Sequence, residues 1–498
     1  MTSRHCVFVT ALGISFLALT PGPALDARGQ DLPARMLENA RGNLRDKRYS
    51  DGVRALEQVI AQNPETSVAA DALLELATYH FDISGDLAAA RTAAEGLTST
   101  YRQFTNAAAT GWVMKGRILL VQSRLAADMT TALSNFGSVA TIYPKSEPVP
   151  MAGYYAGETL RMTGASKAAI ERLRSVISDY PTSPWAARAM VSTAICQVAE
   201  GQHLAAMETL QRVRLRFGGT AEAETALHLN DQLYRLYVRP AAQRPSYEFS
   251  ERAIPRGQAN LEDVDVVKVD AAGNVFAVGR NRLIVYDGQG TLRPAPAVMS
   301  PIGLFPDKDG TLVAVQKGAL NREGTAVPLR LPKPDGTPRI LEDVSAGAAW
   351  STGEYIVADP SGVLKFSRDG TPLGALAKLR AERLAVSSLD EIAALDREGS
   401  IVVLDRDGRT IRTLAKKTAT YELRRPVDLT FDALGHLFVL DRGQSSVLVF
   451  NPKGVLLTRF TIAEKVAGAF RRASALAVDR AGRLYIYDDG AKRILVYQ

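Results

Sequence analysis

Around residue 240 the chain changes its period. Before that point apolar residues recur at helical spacing in units of roughly 37 residues, and beyond it short alternating runs recur with Asp and Gly between them. A helical stripe is buried against other helices and an alternating strand within a sheet, so two different repeat architectures must follow one another in this chain. Repeat units bury their faces on their neighbours and leave long surfaces open, which makes binding the expected business of both halves.

At 498 residues, with 46% hydrophobic and 23% charged side chains, the chain has the length and composition for two cored domains. Its first thirty residues differ from the rest. Arg4 and His5 precede an apolar run from Cys6 to Leu19, followed by Pro21, Gly22, Pro23 and Ala24. A basic start, a compact apolar stretch and small residues after it form a secretory signal pattern, so residues 1–27 are expected to be a signal peptide cleaved after Ala24 or Ala27. The run is short for a membrane span; an uncleaved anchor or a buried first helix is the alternative. No Cys stands at the cleavage point, which argues against a lipoprotein anchor. The expected location is periplasmic or secreted. Removal of Cys6 with the signal would leave Cys196 alone in an apolar helical stretch, where it reads as a small buried hydrophobe. Lys and Arg number 23 against 21 Asp and Glu in residues 31–245, and 35 against 31 in residues 246–498. Neither half has the basic excess of a nucleic-acid binder. A cytoplasmic RNA-binding propeller would require the signal reading to be wrong.

Residues 31–240 read as helical repeats. Their punctuation is Asn63-Pro64, Tyr143-Pro144, Tyr180-Pro181 and Phe217-Gly218, and Pro144, Pro181 and Gly218 are spaced by 37 residues. Proline ends a helix and disfavours helix in the residue before it. Thr66-Ser67, Thr105-Asn106 and Thr182-Ser183 then offer caps for the next helix. Gly85, Gly164 and Gly201 separate the two helices of a unit and are expected to let them approach closely. The clearest unit runs Tyr180-Pro-Thr-Ser-Pro-Trp-Ala-Ala, then Glu200-Gly201, Ala205-Ala206 and Leu210. It resembles the tetratricopeptide repeats of bacterial envelope proteins, notably outer-membrane assembly lipoproteins and the cell-division coordinator of the Tol–Pal system. The resemblance implies an α-solenoid of helical pairs ending in a cap helix over Ala221–Val238, with a groove for protein segments. Candidate groove residues are Tyr79, Lys115, Tyr155 and Arg188; the alternative is that the aromatics pack between helices and the charges are solvated.

Residues 245–498 follow period two. One unit runs from Val427 through Gly435, Asp441, Phe450 and Gly454, three alternating strands and the start of a fourth. It resembles an NHL-type propeller blade. Turns at Gly273, Gly310, Gly353, Asp390, Gly435 and Gly482 count six blades, the weakest at 300–330. The last blade ends at Gln498 after three strands, and a ring with open edges is unfavourable. Residues 246–253 alternate and are expected to supply the missing outer strand. The fold class is therefore multidomain, an α-solenoid followed by an all-β six-bladed propeller closed by its own N-terminal strand.

Some propellers of the resembled kind are enzymes, such as peptide-amidating lyases and calcium-dependent lactonases. This half has one histidine, His436, in a turn between first and second strands, and one imidazole does not make a transition-metal site; a calcium site of channel carboxylates stays open. No metal or cofactor is expected. Asp359, Asp396, Asp441 and Asp488 at second-strand ends are expected to hold their own turns. The segments leading into successive blades carry Arg256, Arg339, Arg380, Arg383, Arg424, Arg425, Arg471 and Arg472. Of these, Arg256, Arg339, Arg383, Arg425 and Arg472 form a candidate anion-binding rim, since guanidinium groups pair bidentately with carboxylate or phosphate. Neighbouring aspartates are the competing partners. The function expected is a non-enzymatic envelope scaffold, its helices binding protein segments and its propeller a second protein, an acidic peptide or an anionic glycan. The alternative is a propeller hydrolase or lyase with a helical docking domain.

Overall fold

The computed structural model describes residues 32–123, 125–257, 261–307, 310–333, 335–461 and 468–498; the expected signal peptide lies outside them. Two compact units divide the chain. One holds the described residues up to Ile118 together with Ile142–Pro148, the other those of Leu119–Thr141 and Val149–Gln498.

Among the described residues the helices pair as Leu32–Arg45 with Tyr49–Gln62, Ser67–Thr78 with Leu87–Ser99, Val149–Met162 with Ser166–Asp179, and Pro184–Ala199 with His203–Arg216; Thr105–Gln122 and Ala126–Ile142 follow the second pair in sequence, and a final helix is Ala221–Leu233. The expected caps form at Thr66, whose hydroxyl accepts from the Ala69 amide, and at Ser183, which accepts from Trp185 with Pro184 in the first turn. Thr105 instead opens its helix, and Asn106 accepts the Glu147 amide. The glycines between paired helices have a different reason from the one expected. Gly85, Gly164 and Gly201 have φ of 71°, 76° and 84°, and a Cβ built on any of them would meet nothing within 4 Å. They are left-handed turn residues. Close approach falls to Gly153 and Gly157 inside a helix, where a Cβ would lie 2.6 Å from Val176 and 2.5 Å from Leu173.

The strand half is a six-bladed propeller spanning residues 249–497, each blade a four-stranded antiparallel sheet. The first strands are Val264–Val269, Gly303–Pro306, Ala346–Ala349, Ala381–Val386, Pro426–Phe431 and Ala473–Val478, and each touches the next around the ring, the sixth returning to the first. The six turns expected from sequence all take positive φ, Asp390 at 61° standing where the other blades have glycine. A further hairpin, Arg330–Pro332 with Pro338–Ile340, is inserted between blades two and three.

Closure occurs as expected, the strand starting three residues later and ending one later than the expected 246–253. Phe249–Ile254 pairs antiparallel with Arg493–Tyr497, Phe249 opposite Tyr497 and Ile254 opposite Ile494, and Glu248 and Gln498 exchange both backbone hydrogen bonds at 2.9 Å. Tyr247 does not join the ladder but is buried between blades five and six against Phe438 and Phe460. Aromatic and β-branched side chains fill the spaces between blades, least completely between blades one and two. There the buried cluster among the described residues is Val266, Val278, Leu304 and Ala314, beside a pocket of about 240 Å³ lined in part by Phe276, Leu283 and Asn321.

The closing strand sets a stability test. Tyr497 is fully buried at the seam, so Tyr497→Ala is expected to cost about 3–5 kcal/mol. Leu292→Ala, in an outer strand and 65% exposed, is expected to change stability by less than about 0.5 kcal/mol. Urea midpoints followed by near-ultraviolet circular dichroism read both.

Candidate functional site

The aspartates at second-strand ends are committed to backbone donors. Asp359 accepts from the Ser361 and Gly362 amides and Asp396 from Ser400, each within its own turn. Asp441 reaches further. Its carboxylate accepts from the Arg424 and Arg425 amides at 2.8 and 2.9 Å as well as from Gly443 in its own turn. Asp488 does the same with the Arg471 amide at 3.0 Å, the Arg472 amide at 2.6 Å and its own Ala491. These carboxylates fix the segments leading into blades five and six by the backbone.

The structure scatters the expected arginine rim. Arg425 is exposed and, among the described residues, its side chain makes no hydrogen bond or ion pair. Arg472 pairs with Asp489 at 2.6 Å while 63% exposed, and Arg424 pairs with Glu422 at 3.1 Å. Arg256 is exposed where the closing strand meets blade one, its amide donating to Gly290. Arg339 is exposed on the inserted hairpin, and Arg380 donates to the Pro360 carbonyl at 2.9 Å. Arg383 leaves the rim altogether.

Arg383 lies near the propeller axis. From the first strand of blade four its Nη2 reaches the Asp265 carbonyl of blade one at 3.5 Å, and its Nε stands 3.9 Å from Asp428 Oδ1 of blade five. Asp428 accepts from the Leu429 and Leu476 amides at 2.9 and 2.8 Å, satisfying donors on the inner edges of two first strands. Burial pushes its carboxyl above the usual carboxylate range, against the pull of Lys268 and Arg383. Burial also pushes the Lys268 ammonium down, with Asp428 opposing and Arg383 reinforcing the shift. Sequence reasoning passed over Lys268 and Asp428. The signal was present: a charged residue in each of two first strands, Val-Val-Lys-Val and Val-Asp-Leu-Thr.

A calcium ion does not fit this axis. The carboxylates there are Asp265 and Asp428, the latter engaged by two amides, and a divalent cation would face Lys268 and Arg383. Among the described residues no group of three or more His, Cys, Asp or Glu is placed to hold a metal ion.

His436 belongs to a contact between helix and propeller. Its Nδ1 lies 2.8 Å from Asp432 Oδ2 and its Nε2 3.0 Å from the Tyr237 hydroxyl, with His436 wholly buried. Asp432 thus faces Nδ1, and Nε2 shares its hydrogen bond with the Tyr237 hydroxyl. His203 stacks on the other side of Tyr237, ring centres 4.4 Å apart. Gln232 and Arg235 donate to the Arg480 and Ala481 carbonyls of blade six at 3.1 and 2.7 Å. The final helix and its π-helical extension Tyr234–Val238 are therefore more than a cap: they bind the turns of blades five and six.

The four groove candidates are half-buried and divided between the compact units. Tyr79 packs on Tyr49, and Lys115 lies over Trp112 at 4.2 Å. Tyr155 stacks on the buried Phe136 and meets Trp185; Arg188 pairs with Glu222 at 3.0 Å above Trp185. The two tyrosines pack on neighbouring aromatic rings.

Residues 151–183 match the tetratricopeptide repeat family. A comparison with curated proteins finds no match. Among solved structures, similarity extends to a gluconolactonase from Xanthomonas campestris at 18% identity, covering 48% of this chain and 86% of that one, with a TM-score of 0.39. Virginiamycin B lyase from Staphylococcus aureus is 15% identical over 48% of this chain and 81% of its own, TM-score 0.32. A protein of unknown function from Bacteroides thetaiotaomicron is 13% identical over 50% and 72%, TM-score 0.40. At these values the likenesses carry nothing about activity. The tetratricopeptide-type helices followed by a propeller point to a scaffold for protein interactions. No helix among the described residues is long and apolar enough to cross a membrane.

Two outcomes test this description. Tyr237→Phe leaves the buried Nε2 of His436 without its hydrogen-bond partner and is expected to cost about 1–3 kcal/mol, read as a shift in the urea midpoint. Cys196 is buried, and burial pushes its thiol up to about 12, so iodoacetamide at pH 8 should leave it unmodified in the folded protein and label it in denaturant.

Proposed function

We propose that the protein is an exported, non-enzymatic scaffold of the bacterial cell envelope. The helical array takes an extended segment of a protein partner, and the propeller takes a second, anionic partner, either an acidic peptide or a glycan, on the face around blades five and six. Export is supported by the basic start, apolar run and small residues of positions 1–27. The protein-binding role is supported by the tetratricopeptide match. The observation that carries the anionic partner is the commitment of Asp441 and Asp488 to backbone amides, with the exposed Arg425 side chain unpaired among the described residues and Arg424 and Arg472 in exposed pairs of small worth. The hydrolase or lyase alternative gains no support from an axis that holds Lys268 and Arg383.

Fluorescent poly-L-glutamate is the probe for this face. The double variant Arg425→Glu with Arg472→Glu should bind it about tenfold more weakly, roughly 1.4 kcal/mol, and binding to the unaltered protein should fall as salt rises. Equal affinity of the two proteins would sink the anionic-partner reading.

A further inference from the structure

Blade one has its outer strand cut short. Its third strand, Arg282–Tyr286, pairs with Leu292–Arg293 at Tyr286 and Val285 only. Pro294, next in line, would stand opposite Ile284 and has no N–H to give. Among the described residues no strand pairs with the outer edge of Arg282–Ile284. Along an antiparallel strand, every second residue turns its N–H and C=O to the same side. The Asp287 amide donates outward to the Thr291 carbonyl, so Val285 and then Leu283 face that side too. The Leu283 N–H and C=O therefore lie on an open edge.

The matching place is filled in other blades. Leu283 pairs with Val278, the last residue but one of its second strand, and Ile401, Val447 and Ile494 hold the same position in blades four, five and six. Their partners on the outer side are Leu414, Phe460 and Ile254. Each of these is buried in the cluster between its own blade and the next. Leu283 has no such partner. Beside it lies the solvent-open pocket of about 240 Å³, walled by Leu283, Phe276, Leu304 and Ala314, and bounded by Pro296 and Val298 of the connecting segment. Residues 291–297 of that segment are exposed.

We propose that an extended segment of a protein partner completes blade one as its fourth strand. It pairs with the Leu283 backbone and sets a side chain the size of leucine or phenylalanine in the pocket between blades one and two. An added strand brings backbone donors and acceptors to the edge and an alternate side chain to the pocket, so one occupant answers both features. A small apolar molecule would fill the pocket and leave the edge open. Glu323, exposed at the pocket and without an ion pair among the described residues, favours a basic residue beside the apolar anchor. No residue of the exposed arginine face takes part.

The probe is a fluorescent, end-capped Lys-Thr-Leu-Thr-Lys peptide added to the full chain. It should bind saturably and slow amide exchange over residues 282–284, read by mass spectrometry. Replacing its leucine by alanine, or methylating the leucine nitrogen, should each weaken binding about tenfold, the first by emptying the pocket and the second by removing a strand hydrogen bond. Ala314→Leu, which fills the pocket from its wall, should weaken binding of the unmodified peptide to the same extent. Arg425→Glu with Arg472→Glu should leave it unchanged, which separates this edge from the anionic-partner face. No saturable binding, equal binding of the methylated peptide, or unchanged exchange over 282–284 would overturn strand addition. Self-association of the protein alone, abolished by Ala314→Leu, would give the edge to a second copy and overturn its assignment to a partner.

Discussion

Everything in the propeller depends on the pairing of Phe249–Ile254 with Arg493–Tyr497. Six blades lie in a ring only if the last sheet is as wide as the others, because each outer strand shields the next and an unpaired edge exposes a row of backbone donors and acceptors. The chain leaves its final blade one strand short and fills the place with residues that precede the first blade. That exchange joins the two ends of the ring by backbone hydrogen bonds. It also brings Ile254 and Ile494 into the cluster between blades six and one, and Tyr497 into the cluster between five and six. The seam is thus better packed than the space between blades one and two, which are joined by ordinary chain connectivity but leave a solvent-open pocket between them.

Aspartate does three different jobs in this ring, and position decides which. At the turns between first and second strands, Asp432 and Asp479 organise tight loops, Asp432 also orienting His436 toward Tyr237. At second-strand ends Asp441 and Asp488 reach the segment before their own blade and fix it by its amides. In the first strand of blade five Asp428 joins two inner edges across a blade boundary. A carboxylate used in these ways satisfies donors that the twist of each sheet leaves unpaired. Asp479 still takes the Arg483 guanidinium on its second oxygen at 2.7 Å, whereas Asp441 and Asp488 spend both oxygens on other donors.

The blade count was legible because each first turn needs a left-handed residue, which glycine supplies five times and Asp390 once. The closing strand was legible because a three-stranded last blade demanded a donor, and the only alternating segment before blade one lay at hand. The axis was not legible. Period two says which residues share a face of a strand; it does not say what stands across a ring, and Arg383 read as another rim arginine until its neighbours were seen to be Asp265 and Asp428. The Tyr237–His436 contact was hidden for the same reason, its partners being 199 residues apart. The inter-helix glycines were recognised by place but given the wrong cause, since a sequence does not distinguish a glycine needed for its φ from one needed for its missing Cβ.

The change of period near residue 240 marks a connection with little freedom. Tyr237 is hydrogen-bonded to blade five on one side of it, and Tyr247 is buried between blades five and six on the other. Only Ala241–Pro245 is fully exposed between them, and there the Ala242, Gln243 and Arg244 amides close back on Val238, Arg239 and Pro240. A hinge at this place would have to break the buried Tyr237–His436 bond or withdraw Tyr247 from an aromatic cluster, either of which costs more than a short exposed turn can return. The surface that bears Arg425 and Arg472 belongs to those same two blades. A partner held by the last helices and one held by that surface would be positioned by one packed body, which is what a scaffold needs and what a flexible tether would not provide.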